Sequence, residues 1–214
     1  MTNFVFPELF GNEDNYRFER HLHAKGYCCV GGCDEAGRGP LAGPVVAACV
    51  VLPPGCDHAS FVDSKILTHG KRLELSHRLQ EMGADFGLGI VSEKKIDEIN
   101  ILQASLLAMK RAVHNLKGSA PDFILVDGKF ILPLPTAQAA LVKGESKSSS
   151  IAAASILAKI TRDHIMVKYH QQFPAYNFQQ NKGYPTRTHR LAIEKNGICP
   201  IHRQTFRGVR EYVE

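Results

Sequence analysis

Apolar residues along this chain fall into two rhythms: short β-branched runs and longer stretches with helical spacing. Residues 45–52 (VVAACVVL) have the length and composition of a central strand, and Pro53-Pro54-Gly55 ends it. Shorter strands are expected at 27–32, 84–92, 123–126 and 139–143. Helical spacing predicts helices over 16–25, 71–82, 148–169 and 186–196, the last with Gly197 as its C-cap. Residues 93–100 and 101–116 read as two consecutive helices broken near Asn100, the second with an apolar stripe of Leu102, Leu106, Met109 and Val113. The alanine-rich start of the 148–169 helix suits close packing on a sheet. Strands clustered first, then helices mixed with single strands, predict an α/β fold. Its sheet should be mixed and partly antiparallel, flanked by helices, with a helical, basic C-terminal part.

Carboxylates recur where strands end. Asp34 and Glu35 follow the first strand and precede a glycine-rich turn, Ala36-Gly37-Arg38-Gly39. Neighbouring strand residues point to opposite faces, so both acids serve one site only if the backbone bends, which Gly37 and Gly39 allow. Asp127-Gly128 repeats the pattern after the 123–126 strand, and Gly144-Glu145 follows the 139–143 strand. In α/β sheets, sites gather at strand ends. No histidine or cysteine cluster accompanies these acids, and an oxygen-only ligand set selects Mg²⁺ or Mn²⁺ over Zn²⁺. Converging carboxylates repel unless cations neutralise them, and two such ions suit in-line displacement at phosphorus.

The charge pattern sharpens this picture. The chain has 214 residues, 44% hydrophobic and 22% charged, with a formal net charge of +5. Residues 141–214 carry 12 Lys and Arg against 5 acids, whereas residues 1–140 carry 14 against 16. A basic back beside a carboxylate site suits a polyanionic partner, and the chemistry implied is phosphodiester hydrolysis. One catalytic domain over 27–214 is expected, with 1–26 as an N-terminal arm. The start lacks a secretory pattern and no apolar run approaches about 20 residues, so a cytoplasmic, membrane-free protein is expected. The cysteines at 28, 29, 33, 49, 56 and 199 form no C-x-x-C pair and read as free thiols. Cys199 with His202 is half a metal site at most.

Several motifs together carry a family resemblance. Asp34-Glu35-Ala36-Gly37-Arg38-Gly39 with Gly43-Pro44, Asp63-Ser64-Lys65, Val126-Asp127-Gly128, Lys143-Gly144-Glu145-Ser146-Lys147, residues 151–159 with Arg162-Asp163, Gly183-Tyr184 and His202-Arg203 resemble bacterial ribonuclease HII. The match runs in order over roughly residues 27–207. It implies a ribonuclease-H-like fold, Mg²⁺- or Mn²⁺-dependent endonucleolysis of RNA in RNA/DNA hybrids, and incision 5′ of single ribonucleotides in duplex DNA. The products would carry a 3′-hydroxyl and a 5′-phosphate. By resemblance, Asp34, Glu35 and Asp127 are metal ligands, Gly37-Arg38-Gly39 senses the ribose 2′-hydroxyl, Tyr184 packs on the following sugar, and Lys65 contacts a phosphate. Glu145 stands where the family usually has aspartate. We expect it still to bind metal, its longer arm favouring Mn²⁺ over Mg²⁺.

Other readings of these residues remain. Lys65 could be a solvated lysine beside a helix cap, Arg38 a surface arginine and Tyr184 an ordinary loop aromatic. Lys143, Lys147 and Lys182 are as suited to solvent as to phosphate. Asp163 reads as a structural ion pair next to Arg162 rather than as a metal ligand. A catalytically silent nucleic-acid-binding module, or a carboxylate-metal phosphatase on small phosphoesters, would share much of this composition. Metal-dependent nicking of a ribonucleotide-bearing duplex distinguishes the first, and competition by hybrid duplex the second. A monomer is expected. The segment 204–209 lacks the paired aromatics of a sliding-clamp docking motif.

Overall fold

The layering follows from strand β2 (Val45–Val51), whose residues alternate between two cores. Val45, Ala47 and Cys49 pack against helix α3 (Glu93–His114), while Ala48 and Val50 pack against α2 (His69–Glu81) and α4 (Ser149–Gln172). This computed structural model describes Phe6 and residues 14–62 and 64–213. β2 sits in one five-stranded sheet with β1 (Val30–Ala36), β3 (Asp85–Val91), β4 (Phe123–Asp127) and β5 (Ala137–Leu141), in the order β3-β2-β1-β4-β5. β2 runs antiparallel to β1 and β3, and β4 runs parallel to β1 and β5. The ends of β1 and β4 therefore lie side by side.

Two expectations shift. β1 begins at Val30 and continues through Asp34 and Glu35, because Asp34 pairs with Ala48, Glu35 with Ala47 and Ala36 with Val46. The two acids thus belong to the strand, and the turn starts after them. On α3, Met109 and Val113 are buried as expected, but Leu102 and Leu106 are only half-buried, and the fully buried stripe is Ala104, Ala108 and Ala112. Glycines at 87 and 89 of β3 explain this, since a Cβ there would lie 2.1 Å from the Ala112 carbonyl oxygen and 1.9 Å from that of Ala108. Small residues on both sides let helix and strand touch backbone to backbone. The expected break at Asn100 is present as a single non-helical residue (φ 66°, ψ 165°). Its side-chain oxygen accepts from the Leu102 and Gln103 N–H groups, restarting the helix like an N-cap.

Helices α2, α3, α4 and α6 (Arg187–Asn196) each start on a Ser or Thr whose side chain accepts a first-turn N–H. Helix α1 (Arg17–Ala24) buries Phe18 and Leu22 against β1, β4 and the start of α4. Of the arm expected over 1–26, residues 1–13 lie outside the described residues except for Phe6, which stands edge-on to Phe18 with ring centroids 4.7 Å apart. Asp63 also lies outside them. The segment after α6, read from sequence as irregular, folds with α5 (Phe178–Asn181) onto the second half of α4 through Leu41, Met166, Tyr176, Phe178, Ile193, Ile201 and Val209. Among the described residues no helix is long and apolar enough to cross a membrane.

Candidate active site

Asp34 leaves β1 on the α4 face and Glu35 on the opposite face, as strand alternation requires. Both still line one cleft of about 530 Å³, with Gly37, Arg38, Gly39, Lys65, Asp127 and Tyr184. No bend between them is needed, because they sit at the strand's end, where both faces open toward β4. Gly37 then turns the chain with φ +101°, and a Cβ there would lie 2.1 Å from the Arg162 Nε.

The acids are crowded and only partly compensated. Burial, then the charges of Glu35 and Asp127, push the Asp34 carboxyl well above its ordinary value. Its partners are the Glu35 N–H at 2.7 Å and the Ser155 hydroxyl. Burial also raises Glu35, opposed by Arg38, whose Nη1 lies 3.2 Å from Glu35 Oε1. Glu35 Oε2 is buried with no hydrogen-bond partner, a costly state for a carboxylate oxygen. Asp127 Oδ1 accepts from the Gly144 N–H at 2.6 Å.

Glu145 is placed differently. It lies in a short 3-10 turn after β5, is 7% exposed, and does not line the cleft. One oxygen pairs with the Lys65 ammonium, and the other accepts from the Ser155 hydroxyl at 3.1 Å. With Asp127 held by Gly144 and Glu145 by Lys65, no three of the described His, Cys, Asp and Glu side chains close around one point. The donor chemistry nonetheless suits a hard divalent cation. The ligand set is oxygen-only, two carboxyls are raised by burial, and one buried oxygen lacks any partner.

Basic residues line the same cleft. Arg72 and Lys159, which sequence reasoning did not single out, join Lys65 there, as does Ser155. Lys159 also pairs with Asp163 at 2.6 Å, so the expected ion pair of Asp163 exists with Lys159 rather than Arg162. Tyr184 is 42% exposed at the rim. Its carbonyl accepts from His189 Nδ1 at 2.9 Å, and His189 Nε2 faces His202 Nε2 at 3.1 Å. His202 Nδ1 in turn accepts the Cys199 N–H. Cys199 and His202 are thus a buried hydrogen-bonded pair within the fold. Burial pushes His202 down to about 4 and also lowers His189, so both rings are neutral at neutral pH.

Comparison with known proteins agrees with this architecture. The Ribonuclease HII family model matches residues 31–209. A ribonuclease HII of Desulfotalea psychrophila is 59% identical over 204 residues, covering 94% of this chain and 91% of that protein. The crystal structure of ribonuclease H2 from Pyrococcus horikoshii OT3 superposes with TM-score 0.69 at 29% identity, covering 86% of this chain and 97% of that one. Bst-RNase HIII in complex with Mn²⁺ shares the fold at TM-score 0.67 and 17% identity, covering 89% and 70%. These matches therefore define a hydrolase of ribonuclease-H-like fold. The chain belongs to the ribonuclease HII family, and its activity is that of an endoribonuclease of the ribonuclease H type.

Proposed function

We propose that the chain incises duplexes on the 5′ side of a ribonucleotide, both in RNA/DNA hybrids and at single ribonucleotides in DNA. Water attacks the phosphorus and the 3′ oxygen of the preceding nucleotide departs, leaving a 3′-hydroxyl and a 5′-phosphate. The observation that carries this reading is a single cleft holding Asp34, Glu35 and Asp127 with the Gly37–Gly39 turn and Tyr184 on its wall.

Asp34, Glu35 and Asp127 would hold divalent cations, Mn²⁺ or Mg²⁺, with Glu145 joining once Lys65 releases it. Such ions, when bound, neutralise the acids and stabilise charge on the attacking and departing oxygens. The chain's own residues do the rest. Lys65, Arg72 and Lys159 supply positive charge for the phosphates. The backbone of residues 37–39, on the cleft wall, would read the ribose 2′-hydroxyl, the group that separates RNA from DNA. Tyr184 presents its exposed ring to the next sugar. Residues 204–209 are held by Asp97, which accepts from the Gln204 and Thr205 N–H groups, and by the buried Val209. This supports reading that segment as structural rather than as a docking peptide for a sliding clamp.

Cleavage of an end-labelled DNA duplex bearing one ribonucleotide, with Mg²⁺ and Mn²⁺ supplied separately, tests the proposal. One nick 5′ of the ribonucleotide, and none in the all-DNA duplex, is the expected result. Glu145→Asp in the same assay should shift the Mn²⁺/Mg²⁺ activity ratio toward Mg²⁺, and an unchanged ratio counts against Glu145 as a ligand.

A further inference from the structure

Two arginines in this fold are almost wholly buried, Arg162 at 1% exposure and Arg203 at 0%. Their side-chain hydrogen bonds go to backbone carbonyls. Arg203 donates from Nε to the Gly43 oxygen (2.9 Å), from Nη1 to that of Arg38 (3.0 Å) and from Nη2 to that of Gly37 (2.6 Å). Arg162 donates from Nε to Pro44 (3.0 Å), from Nη2 to Ala42 (3.0 Å) and from Nη1 to Lys182 (2.9 Å). The Arg162 guanidinium carbon also lies 5.9 Å from the centre of the Tyr184 ring. The two forks therefore hold both ends of the 37–44 turn and tie it to the loop that carries Tyr184. The Leu41 N–H, donating to the Gly183 carbonyl at 2.8 Å, adds a direct strut between the same two segments.

The geometry has a consequence on the other side of the peptide planes. In a trans peptide the C=O and the following N–H point in opposite directions. Drawing the Gly37 and Arg38 carbonyls back onto Arg203 aims the Arg38 and Gly39 N–H groups away from it. Arg38 and Gly39 line the cleft, and neither N–H donates to another described residue. Lysine could not reproduce this hold, because a single ammonium cannot span three carbonyls fixed by a planar fork.

We infer that Arg162 and Arg203 are positioning residues for substrate selection: they present the Arg38 and Gly39 N–H groups to the ribose and fix the spacing between that turn and Tyr184. This rests on the reading of residues 37–39 and Tyr184 given above. Neither arginine touches the substrate. Loosening either should cost recognition of a ribonucleotide followed by deoxyribose more than it costs general duplex binding or cleavage within continuous RNA.

The test compares wild type with Arg162→Lys and Arg203→Lys on two labelled duplexes of equal length. One carries a single ribonucleotide and the other a continuous RNA strand. The expected result is a fall in kcat/KM of about tenfold or more on the single-ribonucleotide duplex, against less than about threefold on the hybrid. Affinity for an all-DNA duplex should be unchanged. Equal losses on both substrates, or no loss, would overturn the inference. Should the variants fail to fold, ¹⁵N relaxation of wild type decides. Amides 38 and 39 should be as rigid as those of β1, and order parameters below about 0.6 would reject the bracket. A wild-type enzyme that cuts neither duplex defeats the functional reading instead, and relaxation still judges the arginines.

Discussion

Two regions of this molecule bury charge, and they treat it in opposite ways. At the front, Asp34, Glu35 and Asp127 crowd like charges together, and one carboxylate oxygen of Glu35 has no partner. Behind them, Arg162 and Arg203 spread positive charge over six backbone carbonyls. Burial lowers these arginines only to about 10 and about 9, so both stay protonated at neutral pH. The front leaves like charges crowded and one carboxylate oxygen unpartnered, whereas every guanidinium nitrogen at the rear is hydrogen-bonded. A strained site held by a satisfied frame is what precise placement of a reacting phosphate requires.

The largest effect should come from relieving the front. If Asp34 holds a cation as proposed, Asp34→Asn should abolish cleavage, by about a thousandfold or more. In the presence of a chelator it should raise stability by about 1–2 kcal/mol, because a buried like charge is gone. Nicking assays with chemical denaturation check both halves. A variant that is inactive but less stable would break the contrast drawn above.

Next comes acid pH, where the crowded carboxylates and the buried His189–His202 pair oppose each other. His189 and His202 have values below the ordinary 6.5 in the folded protein, so the unfolded chain binds more protons as pH falls. Their contribution is fully present above about pH 6.5 and is lost as pH falls below it, for His202 toward about 4, where roughly 3 kcal/mol is at stake. The raised Asp34 and Glu35 act the other way, their cost shrinking on acidification. Denaturation between pH 4 and 7 in the Asp34→Asn background should expose the histidine slope, and adding His202→Gln should flatten it.

The smallest effect concerns Lys65, which is well exposed and pairs with Glu145. Lys65→Gln should raise Mn²⁺ affinity of the free enzyme about two- to fivefold by releasing the glutamate. Calorimetric titration checks this, and no change would show that Lys65 does not compete for Glu145.

The acids were legible in the sequence because each lies at the end of, or just beyond, a recognisable strand. The 27–32 strand runs into Asp34-Glu35 before a glycine-rich turn and the 123–126 run ends in Asp127-Gly128, so these carboxylates stood out. The Asn100 break was legible for a similar local reason. Arg162 and Arg203 were not assigned their work, because a buried arginine looks like a surface one until its carbonyl partners, up to 166 positions away, are in view. The same holds for Arg72, Ser155 and Lys159, which reach the cleft only through the packing of α2 and α4 on the sheet. The alanine stripe of α3 was hidden by its glycine counterpart on a different element.

The buried Glu19 has a practical bearing on how the protein can be shortened. One of its oxygens receives the hydroxyls of Ser148 and Ser150 and the Ser150 N–H, so the first helix closes off the exposed donors where α4 begins. A fragment starting at Gly31 would contain everything the family model matches. It would also lose that lid, uncover Phe123, Leu125 and Ile151 to water, and leave the longest helix frayed a few residues from Glu145. The recognisable part of this enzyme is therefore smaller than the part that can be expected to stand alone.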